Sequence, residues 1–350
     1  MEFLSEYGLF LAKSVTVVIA IVFILGAIFA QAAKNKQGGL LHGHIEVQKI
    51  NERFKAFEHQ LKHAVLPEHL FKQEEAAEKK QEKALKKQQK NQQGHTPSLF
   101  VINFEGDVKA SEVEKLRHEI SAILTIATPQ DEVVINIESP GGMVHTYGLA
   151  ASQLQRIRSA GIPLTVCVDK VAASGGYLMA CVANRILAAP FALVGSIGVL
   201  AQIPNFNRAL KKLDVDYEVM TAGEYKAPVT LFGEISEKGR KKLQEELEDT
   251  HVLFKEFIMQ HRSQVAIEKV ATGEVWYGQR ALDKQLVDEI ITSDDYLMQH
   301  RKDKDIYEVT FIEKKSLQEK LGQAFQQGVS SGLEALLKRN QEVSIGKDIT

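Results

Sequence analysis

The sequence predicts an α/β domain with a largely parallel sheet, placed behind a single membrane-spanning helix. Three observations carry this. From residue 99 onward, short apolar runs alternate with segments of helical period. Three of those runs are followed by glycine-bearing turns: ESPGG at 138–142, ASGG at 173–176 and VGSIG at 194–198. Residues 14–33, SVTVVIAIVFILGAIFAQAA, contain no charge.

The uncharged run comes first. At 1.5 Å per residue it reaches across a hydrocarbon core of about 30 Å. Lys13 and Lys34 bracket it, and it lacks the polar stripe of a globular core helix. Ala30-Gln31-Ala32 fits a small-x-small cleavage pattern after Ala32, as in a secretory signal. The apolar stretch is longer than a signal core, and Glu2 and Glu6 precede it against Lys13, so residues 1–34 are expected to be a retained anchor. Lys34, Lys36, Lys49, Arg53 and Lys55 follow the span. The positive-inside rule would keep them cytoplasmic, although the rule weakens for long translocated domains.

Residues 35–72 carry Ile45, Val47, Ile50, Phe54, Phe57 and Leu61 at near-helical spacing, which predicts a juxtamembrane helical segment. Residues 73–97, QEEAAEKKQEKALKKQQKNQQGHTP, have almost no large apolar side chain and cannot bury a core. They read as a charged spacer with passing helicity; the rival reading is a basic patch on anionic lipid.

The domain proper is expected over 98–312. LFVINF (99–104) predicts a buried strand. Ser111 with Glu114 has capping-box spacing, and Val113, Leu116, Ile120, Ile123 and Leu124 follow at helical period. VVINI (133–137), LTVCV (164–168) and RILAA (185–189) are further strands, with helices at 143–159 and 174–183 between them. Residues 186–204 also lack charge, but Pro190, Pro204, Gly195 and Gly198 fit a turn and strand, not a second span. A helix at 205–212, a strand at 216–221, a long helix from Ser236 to about Arg262, a turn with a short helix within 274–290, and a strand at 307–312 complete the domain. Residues 313–350 are read as an amphipathic helix (316–339) and a tail whose last ten residues are disordered.

Composition narrows the functional classes. With 44% hydrophobic and 25% charged residues and a net charge of −2, the chain shows no nucleic-acid footprint. Cys167 and Cys181 are too few for a disulfide framework or a structural zinc site, and are expected to be buried small hydrophobes.

The chemistry concentrates in the three glycine turns, because sites in such sheets form at the carboxyl ends of strands. Ser174 would open a helix, and the N–H groups of Gly142 and Gly175 would face an oxyanion formed there. Alone, Pro-Gly-Gly is an ordinary turn and a serine at a helix start an ordinary cap. A serine nucleophile also needs a base. His145 would face away at helical spacing, and His251 and His261 read as surface residues of the long helix. A lysine can serve only when burial or its surroundings lower a pKa near 10.4. Lys170 follows Asp169, which would hold it charged; Lys226, in TAGEYKAP, has few cations near it in sequence. Spacing alone leaves the base open.

Taken together, ESPGG, VAASGGY, VGSIGV, AGEYKAP and TGEVWYGQRALDKQLVDEI resemble the signal peptide peptidase A family of serine–lysine membrane peptidases, over roughly 99–292. The resemblance implies a ClpP/crotonase-like fold of repeated βαβ units. It implies Ser174 as nucleophile, Lys226 as general base, Ser196 as the residue orienting the lysine, and Gly142 and Gly175 as the oxyanion hole. It implies no metal or organic cofactor. Homo-oligomeric rings are implied too, with the serine of one protomer meeting the lysine of the next. So is an inner-membrane location with the peptidase domain facing the periplasm, which the basic flank after the span opposes. One departure is Gly-Gly-Tyr-Leu after the nucleophile, where many relatives carry a second aromatic. The expected substrates are extended apolar peptides, such as signal-peptide remnants or unfolded membrane or periplasmic proteins, paired by β-augmentation along Gly141–Val144. The rivals are an acyl-CoA enzyme on the same fold and a non-catalytic membrane scaffold.

Overall fold

A computed structural model describes residues 43–91 and 97–314. The expected anchor at 14–33, its cleavage motif and the C-terminal segment 316–350 lie outside the described residues. Among the described residues no helix is long and apolar enough to cross a membrane. Residues 45–311 form one compact unit; residues 43–44 and 312–314 belong to a second unit, the rest of which lies outside the described residues.

In chain order the elements begin with β1 (Gly43–Lys49), α1 (Ile50–Val65), α2 (Glu68–Asn91), β2 (Ser98–Glu105), α3 (Val113–Leu124), β3 (Glu132–Glu138), α4 (Val144–Ser159) and β4 (Leu164–Val168). Then come β5 (Val171–Ala173), α5 (Gly175–Ala180), β6 (Arg185–Ala188), β7 (Leu193–Gly195), α6 (Asn207–Lys212) and α7 (Glu237–His261). The last are α8 (Ile267–Val270), β8 (Val275–Tyr277), α9 (Gly278–Asp283), β9 (Glu289–Ile290), α10 (Ser293–His300) and β10 (Asp305–Glu313).

The main sheet has the order β1-β10-β2-β3-β4-β6-β9, and every pairing from β10 to β9 is parallel. Parallel strands are covered on both faces, which is why 99–102, 133–135 and 166–168 read as unbroken apolar runs. One face, with Ile102, Ile135 and Val166, packs against Leu116, Ile120, Ala151 and Leu154 of α3 and α4. The other, with Leu99, Val101, Val134 and Cys167, packs against Ile50, Tyr296 and Leu297 of α1 and α10. Each such fully buried aliphatic side chain contributes about 1.5–3 kcal/mol. Both cysteines are buried, as expected, and burial pushes both thiols far above their ordinary range.

Two buried polar clusters lock this frame. Glu132 accepts bonds from Thr165 Oγ1 at 2.7 Å, Tyr296 Oη at 2.6 Å and Lys304 Nζ at 2.6 Å, joining β3, β4, α10 and the entry to β10. Burial pushes its carboxyl up, but the bonds from Lys304, Tyr296 and Thr165 outweigh burial and leave it below the ordinary value. Arg262, at the end of α7, grips Asp288 through two 2.8 Å bonds and also donates to the Gln285 carbonyl.

A small sheet, β5-β7-β8, sits beside the large one. The single bridge Ser139↔Ala172 joins β5 to the end of β3. The charge-poor run 186–204 forms β6 and β7 and contains no helix, as its prolines and glycines predict.

Three expectations are corrected. Residues 43–49 form an edge strand, not the start of a helix; Ile45 and Val47 have period two as well as near-helical spacing, and the sheet edge takes them. The spacer, expected to be only passingly helical, continues the helix α2 through Asn91, with the i,i+4 ion pair Lys79–Glu75 within it and Lys72–Glu68 in the turn before it. Residues 216–221 form no strand; they are exposed throughout, with no sheet edge for their backbone to join.

Candidate active site

The site is built where β5 and β7 end. These strands are parallel and in register, Ala173 opposite Gly195. The next residue on each chain turns into the left-handed region, Ser174 at φ 51° and Ser196 at φ 53°. A non-glycine residue held in such a conformation costs about 1–3 kcal/mol and persists only where its surroundings force it. Here the Ser174 N–H donates to Gly195 O at 2.8 Å, and the Ser196 N–H donates to Glu274 O at 2.6 Å. Adjacent strands lie about 4.8 Å apart, so the two serines leave the sheet side by side. Ser174 stands at the start of α5 without capping it, so its half-buried hydroxyl is not spent on the helix.

The loop ESPGG is pinned against this turn. Ser139 N–H donates to Val171 O, and Ala173 N–H donates to Ser139 O. Tyr147 Oη donates to Asp107 O at 2.8 Å, so in the 2.5 Å contact between Tyr147 Oη and Ser139 Oγ the serine is the donor. Ser139 Oγ in turn accepts from Gly141 N–H at 3.1 Å. Gly141 has φ +89°, and a Cβ there would lie 2.7 Å from both Ser174 Cβ and Gly175 N. A Cβ on Gly142 would lie 2.1 Å from Val108 O, and one on Gly175 would lie 2.3 Å from the Tyr147 ring. The N–H groups of Gly142 and Gly175 donate to no acceptor among the described residues. A serine hydroxyl that makes no hydrogen bond among the described residues, with unengaged backbone N–H groups in the adjoining turns, is compatible with acyl transfer.

The candidate bases are placed differently. Lys226 is exposed in the turn after Gly223. Among the described residues its ammonium bonds neither Ser174 nor Ser196 and pairs with no carboxylate. Its neighbours are tied to the start of α7: Glu224 pairs with Lys238, and the Tyr225 ring lies under Lys238 and Lys242, 5.6 and 5.4 Å from the centroid. α7 thus brings two lysines that are distant in sequence against Tyr225, the residue before Lys226. Lys170 is held charged, as expected, but by Glu138 at 2.8 and 3.0 Å, whose hydrogen bonds and charge raise its pKa. Asp169 instead receives the N–H and hydroxyl of Ser293. His145 is exposed on α4. His251 and His261 are half-buried instead of lying on the surface, on the helix that sets Phe254, Phe257 and Ile258 against the core; His261 contacts Gln155 and Phe257 O.

No group of three or more potential metal ligands occurs among the described residues. A cavity of about 240 Å³ lies at the ends of β2, β3 and β4, lined by both polar side chains, among them Glu105, Glu138, Asp169 and Lys170, and the apolar Phe104 and Ile137. Sequence reasoning missed Ser139, Tyr147 and the loop Gly106–Ser111. A signal was present: GDVKAS follows β2 as ESPGG follows β3, a fourth glycine turn at a strand end.

The chain matches known proteins over most of its length. Residues 2–154 match the model described as peptidase family S49 N-terminal, and residues 156–307 match peptidase family S49. "Probable protease SohB" of Haemophilus influenzae is 48% identical over 92% of each chain. "Probable protease SohB" of Buchnera aphidicola subsp. Acyrthosiphon pisum is 44% identical over 97% of this chain and 98% of its own. Among solved structures, a mutant of the 1510-N membrane-bound stomatin-specific protease with a substrate peptide covers 59% of this chain and 80% of its own at 14% identity. Its TM-score of 0.39 is too low to carry an argument. The motifs at the three strand ends and the matches over most of the chain converge: the chain belongs to peptidase family S49.

Proposed function

We propose that this peptidase is a membrane-anchored serine endopeptidase in which Ser174 is the nucleophile and Lys226 the general base. Ser174 Oγ attacks the scissile carbonyl while its proton passes to Lys226 Nζ. The oxyanion is held by the N–H groups of Gly142 and Gly175. The tetrahedral intermediate collapses to an acyl-enzyme, and Lys226 returns the proton to the leaving amine. Water then attacks the acyl group by the same route in reverse. Ser196, one strand away from Ser174, orients the lysine. No cofactor takes part.

The observation that carries the reading is the Ser174 turn: a strained serine, uncapped, beside two unengaged N–H groups. The separation of Lys226 from it favours a site completed by a second copy of the chain. Around Lys226, residues 199–232 expose a run of large apolar side chains, including Leu200, Leu213, Met220 and Leu231. Apolar surface of that extent marks an interface. A ring of copies would bury it and bring each lysine to its neighbour's serine. Residues 14–33 would anchor the ring in the inner membrane with the peptidase domain on the periplasmic side. Its substrates would be signal-peptide remnants or unfolded membrane or periplasmic proteins.

The test mixes two inactive variants, Ser174→Ala and Lys226→Ala, co-assembled in detergent, and follows peptide hydrolysis. Recovered activity means that neighbouring copies share each site. No recovery, with each variant dead alone and the wild type active, places the dyad within one chain. Activity in either variant alone removes that residue from the mechanism.

A further inference from the structure

Two buried hydroxyls lie beside the Ser174 turn and have no part in the proposed chemistry. Tyr147, in the first turn of α4, and Ser139, at the head of the ESPGG loop, have no exposure. Their oxygens are 2.5 Å apart. The Tyr147 hydroxyl donates to Asp107 O at 2.8 Å, so the Ser139 hydroxyl donates to Tyr147 and accepts from Gly141 N–H at 3.1 Å. Burial raises the phenol above its ordinary value, against the opposing Ser139 bond, so it stays protonated and a donor. A Cβ on Gly106 would lie 2.4 Å from both oxygens, so the backbone closes over the pair on that side.

These contacts reach both proposed oxyanion donors. The Gly142 N–H belongs to the peptide between Gly141 and Gly142, and the peptides on either side aim it. One of them is held where Gly141 N–H meets Ser139 Oγ. The other is held where Met143 N–H donates to Val108 O at 2.9 Å. Tyr147 bears on both clamps, on the first through Ser139 and on the second through the carbonyl of Asp107, the residue before Val108. Gly175 meets the ring itself: a Cβ there would lie 2.3 Å from Tyr147 Cγ. Phe104 packs edge to face against the same ring, with centroids 6.5 Å apart. A buried tyrosine in a core is ordinary. This one touches the first residue of α5 with its ring and ties down the loop of the other donor with its hydroxyl.

We infer that Tyr147 is a positioning residue for the oxyanion hole. Its ring sets Gly175, and its hydroxyl, relayed by Ser139, sets the Gly141–Gly142 peptide, so that both N–H groups are aimed before a carbonyl arrives. Tyr147 itself touches no substrate and transfers no proton. Donors aimed in advance act where charge develops, so the effect falls on the transition state and not on substrate binding. This rests on the reading of Ser174 as nucleophile and of Gly142 and Gly175 as donors.

The test uses the full-length protein in detergent, a fluorogenic apolar peptide that the wild type cleaves, and the peptide aldehyde of matching sequence. Addition of a serine oxygen to the aldehyde carbon moves the carbonyl π pair onto oxygen and so presents an oxyanion to the hole. Tyr147→Phe keeps the ring and removes the hydroxyl, and Ser139→Ala breaks the same relay at its other end. Each should lower kcat about 10-fold or more while KM stays within about 2-fold. Each should weaken the aldehyde by the same factor as kcat/KM. Because both break one relay, the double variant should lose about as much as the worse single variant, not the product of the two. Circular dichroism and urea unfolding establish that each variant is folded, and if Tyr147→Phe does not fold, Ser139→Ala decides. Folded variants with wild-type kcat, a loss confined to KM, or losses that multiply in the double variant overturn the inference. Activity in Ser174→Ala, or a wild type that binds the aldehyde no more tightly than the matching alcohol, would instead overturn the nucleophile assignment beneath it.

Discussion

The region around Ser174 and the region around Lys226 are built to different standards. Around Ser174, the strand ends are parallel, in register and rooted in side chains with no exposure, such as Ile135, Val166 and Tyr147. Around Lys226, α6 buries no residue. That segment folds back on itself: Asn205 bonds the Thr230 and Gly233 carbonyls, Asn207 bonds the Phe232 carbonyl, and Phe232 packs against Phe206 and Tyr217. It has local order without a core beneath it. On the proposed mechanism, one chain holds Ser174 in a fully built turn but offers Lys226 only as an exposed side chain. The difference teaches that backbone geometry can be complete in one part of a proposed site while another part awaits a neighbour.

The comparison can be broken at four points, from the largest effect downward. Arg262→Ala leaves Asp288 without its buried partner, and losing one member of such a pair costs about 3–5 kcal/mol. Urea unfolding should show that loss, and a change below about 1 kcal/mol would mean that the frame does not depend on the clamp. Gly175→Ala drives a methyl into the Tyr147 ring beside the nucleophile. Turnover should fall about 100-fold or more through the displaced donor; a near-normal kcat would show that the turn is more pliant than its contacts imply.

A third point is Glu119 of α3, which accepts the Phe311 N–H at 2.8 Å on β10. Burial pushes its carboxyl up to about 7, with Glu112 adding to the rise and the Phe311 bond and Lys115 opposing it. The folded state thus holds this proton more tightly than the unfolded chain does. Its contribution is complete below about pH 4.5 and is lost as pH rises through about 7, a swing on the order of 2–3 kcal/mol. Glu119→Gln should flatten that part of the stability profile between pH 4.5 and 8; an unchanged slope would assign the pH dependence to other groups. The smallest effect belongs to the base-bearing segment. Met220→Ser should change the stability of the dilute subunit by less than about 0.5 kcal/mol, since Met220 is 89% exposed. The same change should weaken self-association in sedimentation runs, and a large loss of subunit stability with no effect on association would reverse the contrast between the two regions.

What could be read from the sequence follows the same division. The strands at 99–104, 133–137 and 164–168 and the helices between them were legible because burial on both sheet faces leaves continuous apolar runs beside helical periods. β1 was misread because Ile45 and Val47 satisfy either period and only the neighbouring β10, far away in sequence, decides between them. Residues 216–221 misled for the opposite reason: YEVM has strand composition, but no strand of the described residues pairs with it. At the site, glycine spacing pointed to Ser174, Gly142 and Gly175 because close backbone approach leaves a sequence trace. Tyr147 left none, since a tyrosine within a helix is unremarkable until its hydroxyl is seen to meet the Asp107 carbonyl; Asp107 was marked only by the glycine turn around it. Lys226 was reached through family resemblance, because no local pattern ties an exposed lysine to a serine on another element.

The sheet order also sets a timetable. β10 lies between β1 and β2, so β1 has no neighbour until the far end of the chain exists. Asn51, just after β1, bonds the Arg301 and Lys304 carbonyls and the Ile306 N–H, the last of these 255 residues along the chain. At about 5–20 residues per second of synthesis, β1 waits roughly 10–50 s for that partner. During that interval the strand bearing Ser139 can already pair with β2 and β4, while the sheet stays open at the edge where the chain entered it. A nascent peptidase of this design has its nucleophile turn assembled early and its frame closed late, and a ribosome that stalls before residue 305 leaves behind a bare strand edge, not a working protease.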